Sequence, residues 1–125
     1  MKKVISTSKA PAAIGPYSQA VEVNGTLYVS GQIPIDPATG KLIEGGINEQ
    51  VKQVLGNIEK ILSEAGYTFK DVVKTTCLLS DIADFKAMNE VYASFYSENK
   101  PARATYAVKA LPMGALIEIE TIAVK

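Results

Sequence analysis

The spacing of apolar residues changes along the chain, and each change predicts an element. Gln19 to Val23 and Thr26 to Ser30 flank Asn24-Gly25, a dipeptide that favours a type I′ hairpin because both of its residues must take positive φ. On the second arm Leu27 and Val29 share one face, and Tyr28 and Ser30 the other, by the two-residue period of a strand. Gly31 ends that arm. Upstream, Pro11, Gly15 and Pro16 make a fixed loop with Tyr17 at its exit. Gln32 to Gly46 holds Pro34, Pro37, Gly40, Gly45 and Gly46, a loop composition with a short extended piece at Lys41 to Ile43. From Ile47 the period lengthens: Val51, Val54, Leu55, Ile58, Ile61, Leu62 and Ala65 recur at steps of three and four, which predicts a helix ending at Gly66.

Asp71 to Ser80 is rich in Val and Thr and reads as a strand, with Val73, Thr75, Cys77 and Leu79 on one side. Asp81 or Asp84 caps a second helix over Ile82 to Ser97, whose stripe is Phe85, Met88, Tyr92, Phe95 and Tyr96, with Asn89 inside it. Pro101 blocks continuation, Arg103 to Val108 resumes a strand, Leu111 to Gly114 turns, and Leu116 to Val124 is the last strand. The order predicts one α+β domain over residues 1–125, with both helices on one face of a mostly antiparallel sheet and the last two strands as a hairpin-like pair. Leu116, Ile122 and Val124 share a face with Glu118 and Glu120, opposite Ile117, Ile119, Thr121 and Ala123. Both faces are apolar, yet two helices cover one. The bare face therefore predicts a homo-oligomer.

Composition narrows the chemistry. Lys plus Arg number 13 and Asp plus Glu 13, so no net field draws the chain to phosphate backbones or anionic lipid, which argues against a nucleic-acid partner. Histidine is absent, which excludes a Ser/His or Cys/His nucleophile pair and a histidine metal ligand. No metal or cofactor is expected. The one cysteine, Cys77, forms no intramolecular disulfide and fits a reducing compartment. With no export signal and no apolar run long enough for a membrane span, the expectation is a cytoplasmic protein.

A few residues remain that could act. Arg103 and Thr105 point the same way from a strand start. Arg103 is either a fork for a substrate carboxylate or an exposed strand-end arginine in a structural ion pair. Glu118 and Glu120 lie roughly 6.5 to 7 Å apart along their strand. Among aliphatics, burial raises a carboxylate's pKa, so one of them could activate water. Tyr17, Ser30 and Asn89 each have a plain structural account as well. Cys77 reads as a small buried hydrophobe.

Six stretches then resemble one known family, in order and end to end: Ala12 to Ala20 (AAIGPYSQA), Ser30 to Pro34 (SGQIP), Val73 to Thr76 (VKTT), Asn89 to Tyr92 (NEVY), Lys100 to Arg103 (KPAR) and Ile117 to Glu120 (IEIE). The chain is similar to the RidA (YjgF/YER057c/L-PSP) family. That resemblance implies a chorismate-mutase-like fold and a homotrimer with three intersubunit clefts. It implies hydrolysis of reactive 2-imino acids, 2-iminopropanoate and 2-iminobutanoate, to 2-oxo acids and ammonia. Arg103 would bind the substrate carboxylate, Glu118 would orient or activate water, and Tyr17, Ser30, Gly31 and Asn89 would line the cleft, Tyr17 arriving from a neighbouring subunit. The family often has a cysteine where this chain has Thr105, which keeps a small polar group facing the cleft and removes a thiol. Members have also been described as endoribonucleases or translation inhibitors, and a non-catalytic metabolite-binding module is a further alternative.

Overall fold

A computed structural model describes all of residues 1–125. Its first strand, β1 (Lys3–Ile5), is one that alternation does not mark, since three residues show no period. It runs antiparallel to β2 (Ala20–Val23), with Val4 opposite Val21. β3 (Thr26–Gln32) completes the hairpin, and Asn24 and Gly25 take φ of 49° and 77°, as a type I′ turn requires. The long loop folds onto itself as a two-stranded ribbon, β4 (Ile35–Asp36) and β5 (Lys41–Leu42). Asn57 Nδ2 donates to the Ile35 carbonyl at 2.9 Å and pins it to the helix that follows.

That helix, α1 (Ile47–Glu64), buries Val51, Val54, Leu55, Ile58, Ile61 and Leu62, the predicted stripe. Its end is a Schellman closure. Gly66 sits at φ 81°, with Gly66 N–H to the Ser63 carbonyl at 3.0 Å and Tyr67 N–H to the Leu62 carbonyl at 2.8 Å. β6 (Val72–Leu79) follows, then a 3₁₀ turn capped by the Asp81 carboxylate, α2 (Phe85–Phe95), β7 (Ala102–Ala107) and β8 (Ile117–Val124). The main sheet runs β1-β2-β3-β8-β6-β7. α1 lies across β3 and β8, with α2 beside it, so both helices occupy one face.

Two expectations change. The last two strands are not a hairpin: β8 inserts between β3 and β6, and β7 lies at the edge, parallel to β6. The β6-α2-β7 connection is a helical crossover, and a crossover returns the chain parallel to where it started. In β6 a register shift between Val72 and Lys74 buries Val72 and turns Val73 out, against the strict alternation that grouped Val73 with Thr75. Such a bulge adds one residue and reverses the facing of what lies beyond it.

The core is one cluster between sheet and helices, holding Leu27, Val29, Cys77, Leu79, Ile117, Ile119 and Ala123 together with the α1 stripe. On the far side of the sheet Tyr28 stands opposite Ile122 and Val21, and Tyr28, Val73 and Val124 are exposed. The uncovered apolar face expected from the last strand is present. No helix is long and apolar enough to cross a membrane.

Candidate active site

Glu118 is presented by the centre of the sheet on the face away from the helices. It lies opposite Leu78 of β6 and is half-buried, while Glu120, opposite Thr76, is exposed. Burial raises the Glu118 pKa, and the neighbouring Glu120 charge raises it further. Across from Glu118, β3 carries an extra residue between Val29 and Gln32. This bulge brings Gly31 against the carboxylate and sets Ser30 in the same cavity. A Cβ on Gly31 would collide with Glu118 Oε2 and stand 3.0 Å from its carboxyl carbon, so only glycine allows this approach. The Ser30 hydroxyl donates to the Ser18 carbonyl at 2.5 Å, which leaves its lone pairs as the groups it offers outward.

Tyr17 reaches the same place by a tight turn, its N–H donating to the Gly15 carbonyl at 2.9 Å, and its ring is 53% exposed. The loop before it hangs on one buried side chain. Gln19 accepts from Thr7 N–H at 2.7 Å and donates to the carbonyls of Thr7 and Pro11 at 3.0 and 2.7 Å. Tyr17, Ser30, Gly31, Glu118 and Glu120 line one cavity of about 660 Å³, which contains no arginine or lysine. Ile14 and Met113 complete its apolar rim. Neither was named as a site residue from sequence, although Ile14 lies within the AAIGPYSQA stretch, and Met113 takes a φ of 59° in the left-handed region.

Arg103 is elsewhere. In the parallel register it lies opposite Thr75, which is fully buried towards the helices, so Arg103 faces the helical layer. Its guanidinium carbon lies 4.8 Å from the Tyr92 ring centroid and 5.7 Å from that of Phe85. No carboxylate of the chain pairs with it, which removes the structural ion pair as its explanation. Asn89 shares its cavity, of about 760 Å³, together with Lys86 and Lys100. Thr105 lies opposite Cys77, and its hydroxyl is buried without a partner, lining neither cavity. It projects from the same side of β7 as Arg103, two residues along the strand. Cys77 is fully buried and its thiol is pushed up to about 11 by that burial, which suits packing rather than nucleophilic work.

Apart from Thr105, the predicted residues fall into two groups, one on each face of the sheet. Thr75 and Leu78 project to opposite sides of β6, and with them go Arg103 and Glu118. Tyr17 lines the cavity of Glu118 in its own chain, and Arg103 and Asn89 line the other.

The family model described as endoribonuclease L-PSP matches residues 7–125. The chain belongs to the L-PSP family. Among L-PSP relatives, the 2-iminobutanoate/2-iminopropanoate deaminase of Rattus norvegicus is 59% identical over 100% of this chain and 91% of its own. A solved Rid-family protein, YyfA of Yersinia pestis, superposes with a TM-score of 0.97 at 51% identity, over the whole of both chains. A further solved structure, E. coli TdcF with bound serine, superposes with a TM-score of 0.94 at 39% identity over 98% of each chain. These likenesses agree with the RidA resemblance of the six motifs and with the α+β architecture.

Proposed function

We propose that this L-PSP protein hydrolyses 2-imino acids such as 2-iminobutanoate and 2-iminopropanoate to 2-oxo acids and ammonia, acting in the cytoplasm as a homotrimer. The observation that carries the reading is its identity of 55–59% over the full chain to deaminases of that name. The geometry supports roles for its residues. A guanidinium with no carboxylate partner is matched to a substrate carboxylate, bidentately. Glu118, whose burial makes it more basic than an ordinary glutamate, is matched to taking a proton from water. Water oxygen adds to the imine carbon as Glu118 accepts the proton. Glu118 passes that proton to the imine nitrogen to give the carbinolamine; it then takes the hydroxyl proton as the carbonyl forms, and delivers it to the nitrogen as the C–N bond breaks and ammonia departs. No nucleophilic side chain is required, in keeping with the lack of histidine and the inert Cys77.

Arg103 and Glu118 lie on opposite faces of one chain, so the proposed site joins the Arg103 half of one copy to the Glu118 half of the next. The two halves differ in charge: Lys86, Lys100 and Arg103 outnumber Glu90 on one, and Glu118 and Glu120 stand without a cation on the other. Such a head-to-tail contact forms a ring when its rotation closes, and a trimer of this kind has three clefts and covers the bare sheet face. The test is release of 2-oxobutanoate in an assay coupled to a threonine dehydratase. Wild-type protein accelerates it, and Arg103→Ala removes the acceleration. Serine bound to a relative favours a second reading, a binding module without turnover. In that case 2-oxobutanoate binds but its release is not accelerated.

A further inference from the structure

An arginine that grips a substrate carboxylate must itself be held, and a structural ion pair would consume the N–H donors the substrate needs. The geometry points to Tyr92 as the residue that positions Arg103 for the carboxylate, an inference that rests on the deamination proposed above.

Three contacts close a triangle. The Arg103 guanidinium lies over the Tyr92 ring at 4.8 Å. The Tyr92 hydroxyl meets Thr75 Oγ1 at 2.7 Å, inside the core. Thr75, fully buried, is the residue opposite Arg103 in the β6–β7 register. The ring is therefore fixed to the same point of β6 that locates the Arg103 backbone. Tyr92 is 7% exposed and packs against Tyr96 with centroids 4.7 Å apart, so it offers little surface of its own to a ligand. A ring face attracts the guanidinium through its quadrupole. It leaves the in-plane N–H fork free, which a carboxylate partner would not. Phe85 flanks the same group at 5.7 Å but is 37% exposed and, as phenylalanine, has no polar anchor. An arginine held in advance loses less freedom when the substrate arrives. Tyr92 accordingly acts through Arg103 and shows itself in affinity for the carboxylate.

The test compares Tyr92→Leu, Tyr92→Phe and the Tyr92→Phe/Thr75→Val pair, reading KM and kcat with enzymatically generated 2-iminobutanoate and Kd for 2-oxobutanoate by calorimetry. Loss of the ring should raise KM and Kd about tenfold while kcat changes less than about threefold. Tyr92→Phe keeps the ring but removes its anchor to Thr75 and should weaken Kd about threefold; the Tyr92→Phe/Thr75→Val pair, which also lacks the anchor, should weaken Kd as much while recovering the stability lost to the unpaired hydroxyl. A folded Tyr92→Leu protein with KM and Kd within about twofold of wild type overturns the inference. Should that variant not fold, an unchanged Kd in Tyr92→Phe overturns it instead. Wild-type protein that binds 2-oxobutanoate but hydrolyses no imine removes the deamination reading, and the Kd comparison alone then decides the role of Tyr92.

Discussion

If a working cleft takes Arg103 from one copy and Glu118 from the next, two inactive variants should repair each other. Arg103→Ala retains the Glu118 half, and Glu118→Ala retains the Arg103 half; each alone has no complete cleft. In a mixed ring, a cleft works when its arginine donor is the Glu118→Ala chain and its glutamate donor is the Arg103→Ala chain. For equal amounts assorting at random each condition holds half the time, so about one quarter of wild-type activity returns. Across mixing ratios the activity should follow the product of the two fractions and peak at equality. The assay is 2-oxobutanoate release after joint refolding, with native mass spectrometry to confirm mixed rings. Verified mixed rings with no activity would show that both residues serve one chain's site, or that one of them serves none. Either result ends the proposed assembly.

Other outcomes follow from single groups. Glu120→Gln removes a charge that raises the Glu118 pKa, so the acid limb of kcat/KM should move to lower pH; an unmoved limb rules out Glu118 as the base. The same shift fixes a stability effect. The folded chain holds the Glu118 proton at pH values where the unfolded chain has lost it, so its contribution favours folding at low pH and is lost as pH rises through the folded value. Glu118→Gln should therefore raise the Tm at neutral pH, with a smaller gain below the ordinary carboxylate range, checked by thermal melts at both. Gly31→Ala puts a methyl where Glu118 Oε2 lies and should lower kcat/KM by about a hundredfold, with the circular dichroism spectrum unchanged. Met113→Gly relieves a left-handed φ of 59° and should stabilise by about 0.5 to 1 kcal/mol in urea unfolding.

Much of the fold is legible in local pattern because its determinants are local. Asn24-Gly25 admits positive φ at both positions, Gly66 permits the Schellman closure, and the α1 stripe recurs at helical spacing. Residue types alone also gave the inventory: an arginine, a pair of carboxylates, no histidine. Sheet order was less accessible. Whether β7 pairs with β8 or returns beside β6 depends on long-range hydrogen bonding, which no window of sequence contains. The bulges in β3 and β6 likewise add a residue without changing the apparent period, and so reversed Val73 and brought Gly31 against Glu118.

By itself the sequence determined which residues could act and which elements carry them, since periodicity, turn chemistry and six family motifs are all short-range features. Only the tertiary structure decided that Arg103 and Glu118 face opposite ways. That depends on the inter-strand register, with Arg103 opposite Thr75 and Glu118 opposite Leu78. In a pleated sheet a shift of one residue exchanges the faces, and register is fixed by packing between strands distant in sequence.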